Sequence, residues 1–221
     1  FTLALLNQAA ISGKEISLTD VMLAHSLTNE SRQKKLQEGI VESSRQKLSR
    51  DVDFPDFIDR LIRRNIGYGV KADPFSPGST TQVSILDRQG NAASVTTTNG
   101  EGCGYVVPGL GFMLNNMLGE EDLNLRGFHQ HKSRSRLPSM VAPTIVTKAG
   151  APVMVTGSAG SNRIRSAIVQ MIVEVLQGGM DLEGATIAPR LHVDGDTLQV
   201  EPGAEEAVLD ELSSFYEIHR W

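Results

Sequence analysis

The sequence predicts a layered α+β fold, and three observations carry that reading. Helical patterning occupies both ends of the 221 residues. Two β-hairpins of similar design lie between them. A breaker-rich stretch, "YGVKADPFSPGS" over Tyr68 to Ser79, marks where helical texture gives way to strands. Helices flanking antiparallel sheets bury one face of each against the other, which is the layered arrangement.

Taken in order, the first 70 residues read as helical packing layers. Ser17, with Asp20 three positions on and "VMLAHSL" following, is a capping-box pattern that opens a helix. Ser31 to Leu48 is polar, with Leu36, Ile40 and Val41 at helical spacing. Pro55 fits a first helical position before the apolar stripe of Phe57, Ile58, Leu61 and Ile62. Beyond the linker, Gln82 to Asp87 predicts a strand, Arg88 to Asn91 a turn and Ala92 to Thr97 the returning strand. "APTIVT", a Lys148 to Ala151 turn and "PVMVT" repeat the design, so one or two antiparallel sheets are expected. A long helix follows in "SNRIRSAIVQMIVEVLQGG", with Ile164, Ile168, Met171, Ile172 and Val175 on one face and a stop at Gly178-Gly179. A shorter helix runs near Asp181 to Ala188. "LHVDGDTLQVE" gives a small hairpin and "GAEEAVLDELSSF" a last helix.

Composition narrows the function classes. Hydrophobic residues make up 40% of the chain and charged residues 21%, enough apolar mass for a real core. The net charge of -5 and the absence of a basic face argue against a nucleic-acid partner. The dense basic run His129 to Arg136 reads as a solvated loop. No apolar run approaches the ~20 residues of a membrane helix. The chain opens at Phe1 inside a helical pattern, as expected of a piece of a longer protein. With a single cysteine, Cys103, neither an internal disulfide nor a CxxC metal site can form; a small packed thiol is expected there. His129 and His131 lack further ligands at zinc spacing, so no metal and no cofactor are expected. His192 alternates within a strand and reads as structural.

Four stretches can carry chemistry. A threonine hydroxyl needs a base beside it, and a threonine at the start of a strand behind a cleavable loop can use its own α-amine. That amine titrates near ~7.7–8.0, well placed to take a proton at neutral pH. Thr80, behind the Ser79 loop, meets these conditions, although a loop entering a strand at a β-branched residue is also commonplace. In "TGSAGSNRIRSAI" a strand runs through small residues into a helix, so the N–H groups of Gly160 and Ser161 can converge on an anion, or the turn simply needs small residues. "GFMLNNMLGEEDLN" supplies Asn115, Asn116, Glu120, Glu121 and Asp122 for an amine or cation, or forms a solvated acidic turn. Ser139 lies in the Pro-bracketed "RLPSMVAPTIV".

In this order, "TTQVSILDRQGNAASVT", "GFMLNN", "LPSMVAPTIV", "TGSAGSNRIRSAI" and "APRLHV" resemble the small-subunit motifs of the gamma-glutamyltransferase (gamma-glutamyltranspeptidase) family. The resemblance spans Thr80 to Trp221. It implies the four-layer αββα fold of N-terminal-nucleophile hydrolases, with residues 80–221 the small-subunit-like catalytic region. By position alone, residues 1–79 resemble the C-terminal helical part of the large subunit, whose remainder is an implied partner. It further implies self-cleavage at Ser79-Thr80, and Thr80 as a nucleophile that takes a γ-glutamyl group from glutathione or a similar amide and passes it to water or an amine. Thr98 corresponds to a threonine that hydrogen-bonds the nucleophile. Gly160 and Ser161 correspond to a Gly-Gly pair forming the oxyanion hole, and Ser139 to one of two serines near the substrate carboxylate. Asn99 stands one residue before the expected asparagine. Glu120 matches the aspartate that holds the substrate amine, and Met117 replaces a glutamine or glutamate. The carboxylate-gripping arginine is expected in the absent part. Two rival readings follow: an acylase of the same fold with a non-glutamyl donor, of the cephalosporin-acylase kind, and a non-catalytic relative.

Overall fold

The computed structural model describes residues 2, 3, 6, 10, 15–37, 80–124 and 127–221, with the side chains of 30–37 excepted. The expected helical stretch beyond residue 37, the Pro55 helix and the Tyr68 to Ser79 linker lie outside these residues.

The first long helix, α1 (Leu18–Gln37), starts where its cap predicts. Ser17 Oγ donates to Asp20 Oδ2 at 2.9 Å, the Ser17 amide donates to the same oxygen, and the Asp20 amide donates back to Ser17 Oγ. Its buried face carries Val21, Met22, Ala24 and His25.

Strands β1 (Thr80–Leu86) and β2 (Ala92–Thr98) form the first hairpin, with Thr80 facing Thr98 across the register and Gln82 facing Thr96. Its turn is tied by Asp87, whose Oδ1 accepts the amides of Gln89 and Asn91. Strand alternation makes this hairpin two-faced. Thr80, Gln82, Thr96 and Thr98 are partly covered on one face, while Val83, Ile85 and Val95 are about half exposed on the other.

The second hairpin, β3 (Thr144–Lys148) and β4 (Ala151–Thr156), carries a register shift between Val146 and Thr147, opposite Pro152. Proline has no N–H for the ladder, so a bulge is where it is tolerated. Then come α2 (Ile164–Leu176) and α3 (Leu182–Ile187), the latter capped by Asp181 Oδ1 accepting the Gly184 amide at 2.7 Å. Strands β5 (Leu191–Asp194) and β6 (Thr197–Val200), helix α4 (Glu206–Leu212) and strand β7 (Glu217–Arg220) complete the order.

The fold is α+β, as the sequence predicts, but among the described residues there are three sheets rather than one or two antiparallel ones. The third has the order β5-β6-β7, with β7 parallel to β6. That strand is short and mostly polar, and its pairing is set by the crossover through α4 rather than by local pattern.

Two apolar clusters lie on either side of α2. One joins Val21 and Met22 of α1 to Leu191, Leu198, Val200, Leu209 and Leu212. The other joins Ile164, Ile168 and Ile172 of α2 to Leu123, Met140 and Met154. Buried Gln170 pins α2 to β5: its Nε2 donates to the Leu191 carbonyl at 2.7 Å and its Oε1 accepts the Leu191 amide at 3.0 Å. His192 is structural as expected, its Nδ1 lying 2.9 Å from Ser166 Oγ. Cys103 corrects an expectation. It is exposed rather than packed, because Gly102 and Gly104 turn the chain through positive φ on either side and hold it in a surface loop.

Candidate active site

β1 begins at Thr80 itself, so the sheet fixes the first residue after the linker. Thr80 and Thr98 are register partners at the open end of the first hairpin, and their side chains lie on one face. Thr80 Oγ1 and Thr98 Oγ1 are 2.9 Å apart. Thr98 Oγ1 also accepts the Gly100 amide at 2.9 Å, so its oxygen is held between that loop and Thr80, free to donate to or accept from the Thr80 hydroxyl.

A small cleft brings Thr80 and Thr98 together with Glu120, Ser139 and Ser161. Met117, Leu123, Met140, Val141 and Ile164 supply the rest of the lining, so half of the residues around the hydroxyl are apolar. Met117 and Glu120 sit in and after a 3-10 turn over Met117–Gly119, which a second turn over Glu121–Leu123 follows. Asn124 Nδ2 holds this acidic segment by donating to the carbonyls of Leu118 and Glu120.

The loop after β2 wraps around the same segment. Glu120 Oε1 accepts the Glu101 amide at 3.0 Å, and Asn116 Oδ1 accepts the amides of Glu101 and Gly102. Gly100 must be glycine here: its φ is +68°, and a Cβ would fall 1.9 Å from Glu120 Oε1 and 2.2 Å from Asn116 Oδ1. Partial burial raises the Glu120 carboxyl above its ordinary range, and the charges of Glu101 and Asp122 push the same way against the Glu101 hydrogen bond.

Across the cleft the chain leaves β4 and turns through Gly157 to Ser161 before α2. Gly160 (φ 119°) and Ser161 (φ 56°) are consecutive left-handed residues, and the serine pays a conformational penalty that glycine would not. Successive amides in such a turn form an anion-binding concavity. Among the described residues neither amide is used in a hydrogen bond. Ser161 Oγ points to Asp122 Oδ2 at 3.4 Å.

Of the residues singled out from sequence, Thr80, Thr98, Glu120, Ser139 and Ser161 share the cleft, whereas Asn99 and Gly160 do not line it. Asn99 is exposed, and its carbonyl accepts the amides of Gly102 and Asn116. Gly160 lines a neighbouring cavity of about 420 Å³ behind the turn. The sequence reading missed Asn116 as an organiser of the acidic loop. The signal was its place beside Asn115, but only the fold shows which of the two turns inward. Among the described residues no cluster of three His, Cys, Asp or Glu side chains suits a metal ion, and no helix is long and apolar enough to cross a membrane.

The family model described as Gamma-glutamyltranspeptidase matches residues 8–218. A glutathione hydrolase proenzyme of Bacillus subtilis (strain 168) is 34% identical over 139 residues, which cover 62% of this chain and 24% of the relative. An acylase ACY 1 proenzyme of Pseudomonas sp. (strain SE83) is 32% identical over 142 residues, covering 60% of this chain and 24% of that protein. The crystal structure of a Helicobacter pylori gamma-glutamyltranspeptidase mutant superposes with a TM-score of 0.56 at 33% identity, over 64% of this chain and 84% of its own. The chain thus spans about a quarter of the length of the curated relatives it matches.

Proposed function

This chain belongs to the gamma-glutamyltranspeptidase family, and from that premise we propose that it carries the nucleophile of a gamma-glutamyl acyltransferase and hydrolase, with Thr80 acting after cleavage at Ser79-Thr80. The observation that carries the reading is the Thr80 hydroxyl, 2.9 Å from Thr98 Oγ1, in a cleft shared with Ser161, Glu120 and Ser139.

In the precursor, Thr80 Oγ attacks the Ser79 carbonyl carbon. The C–N bond gives way to an ester, and water hydrolyses it, freeing the Thr80 amine. In turnover that amine takes the Oγ proton as Oγ attacks the γ-carbonyl of the donor. Charge grows on the carbonyl oxygen, where the Gly160 and Ser161 amides stabilise it. Collapse breaks the donor C–N bond, and the leaving amine departs with the proton held on the Thr80 ammonium. Water or an acceptor amine then attacks the ester carbonyl, gives its proton to the Thr80 amine, and Oγ is released and reprotonated. Glu120 receives the substrate ammonium and Ser139 its carboxylate, with Asn99 as a further substrate contact and an arginine from the large-subunit portion completing the grip. Glutathione or another γ-glutamyl amide is the donor, and no cofactor takes part.

The test uses the complete protein. Thr80→Ala stays in one piece by intact mass and releases no chromophore from a γ-glutamyl anilide, while the wild type splits between residues 79 and 80 and turns over. A Thr80→Ala protein still cut at that bond overturns the proposal. A wild type neither cut nor labelled at Thr80 by an acylating glutamine analogue points instead to a non-catalytic relative.

A second reading, an acylase with an apolar donor, draws on Met117, Leu123, Met140, Val141 and Ile164 around the hydroxyl. It predicts a higher kcat/KM for aliphatic anilides than for γ-glutamyl anilide.

A further inference from the structure

One polar side chain between the Thr80 strand and the Gly157 to Ser161 turn has no part in the steps above. Gln82 follows Thr80 by two residues, so it shares the inward face of β1. Its Oε1 accepts from Thr96 Oγ1. Its Nε2 donates to Ser94 Oγ at 2.9 Å and Ser84 Oγ at 3.0 Å. Ser94 carries the link onward, donating to the Thr156 carbonyl at 2.8 Å. Thr156 ends β4, and Gly157 opens the turn. A Cβ on Gly157 would lie 2.1 Å from Gln82 Oε1 and 2.2 Å from its amide carbon. The Gln82 amide is therefore linked to the residue before the turn and pressed against the first residue within it.

We infer that Gln82 is a positioning residue that sets the distance between the Thr80 hydroxyl and the Gly160 and Ser161 amides. The reason lies in the topology. Among the described residues the β1-β2 and β3-β4 hairpins are separate two-stranded sheets, so no backbone ladder joins the nucleophile strand to the strand that leads into the turn. Side chains must make that connection, and a primary amide donates and accepts at once. Gly157 removes the Cβ that would hold the two hairpins apart. This inference rests on the reading of Thr80 as nucleophile and of Gly160 and Ser161 as oxyanion donors. Displacing catalytic partners by about 1 Å lowers rates by roughly 10²-fold.

The experiment compares Gln82→Ala, Gly157→Ala and the double variant in the complete protein, by steady-state kinetics on a γ-glutamyl anilide and by hydrogen exchange of residues 157–161. Gln82→Ala is expected to lower kcat by about 10²-fold with KM within about threefold, and to speed exchange in the turn. Gly157→Ala drives its new methyl into the Gln82 amide and gives a similar loss. In the double variant that collision is gone, so its kcat is no lower than that of the worse single variant. Wild-type kcat and exchange in Gln82→Ala, or losses that multiply in the double variant, overturn the inference. If the wild type turns over no acyl amide, the functional reading fails by itself, and the exchange comparison alone decides whether Gln82 braces the turn.

Discussion

Thr98 Oγ1 serves two partners, Thr80 Oγ1 and the Gly100 amide, and so couples the proposed nucleophile to the loop that carries Asn99. Thr98→Val removes that oxygen and strands the amide. We expect kcat to fall roughly tenfold, the worth of one such hydrogen bond, with Thr98→Ser close to wild type in the same assay. Glu120 makes a different prediction. Burial raises its carboxyl, so it takes up a proton at a pH where an ordinary carboxylate is still ionised. The grip on a substrate ammonium is then full at neutral pH and is lost earlier, as the pH falls, than an ordinary carboxylate would lose it. The KM for γ-glutamyl anilide should rise over that fall in the wild type. In Glu120→Gln it should already be about tenfold higher at neutral pH and should lack this acid-side rise.

The first hairpin explains why local sequence sets the proposed nucleophile at a strand start. Its partly covered face carries Thr80, Gln82, Ser94, Thr96 and Thr98, while Val83, Ile85 and Val95 stand on the other. A one-residue slip would exchange the two faces, so the pattern that makes the strand also sets which threonine meets which. The contact of α1 with the rest of the chain has a pH signature. His25 is buried beside His192, ring centroids 6.1 Å apart, and among the described residues neither of its ring nitrogens has a hydrogen-bond partner. Burial first, then the Arg165 and His192 charges, lower its pKa to about 3. The folded state holds His25 neutral where the unfolded chain, near ~6.5, takes up a proton. Stability from this residue is therefore complete above about pH 6.5 and declines from there toward pH 3, by about 1.4 kcal/mol per unit. His25→Leu should keep the melting temperature at pH 7 and flatten its fall between pH 6 and 4, leaving the smaller slope from His192, which burial also lowers.

At the scale of the whole molecule, the outer faces of both hairpins leave Val83, Ile85, Val95, Ile145 and Val153 between 41% and 55% exposed. Exposed apolar side chains gathered on a strand face are the kind of surface that an interface covers. The chain spans about a quarter of its curated relatives, and we propose that the remaining portion of the family's architecture covers it. The 221 residues alone should then bind a hydrophobic dye such as ANS strongly, and the complete protein should bind it weakly. Much of this was legible beforehand. The Ser17–Asp20 box, both hairpin turns, the α2 stripe and Thr80 at a strand start are local features, fixed by caps, periodicity and turn residues within a few positions of each other. β7 was not legible, because its parallel pairing depends on how α4 carries the chain across. Gln170 and Gln82 were not legible either, since a glutamine shows no sign in sequence of the distant backbone it will bond. The sequence by itself therefore determined most of the described elements and the residue types of the proposed chemistry. Tertiary structure alone decided which of those residues converge, because their distances depend on the packing of two hairpins that no backbone ladder joins among the described residues.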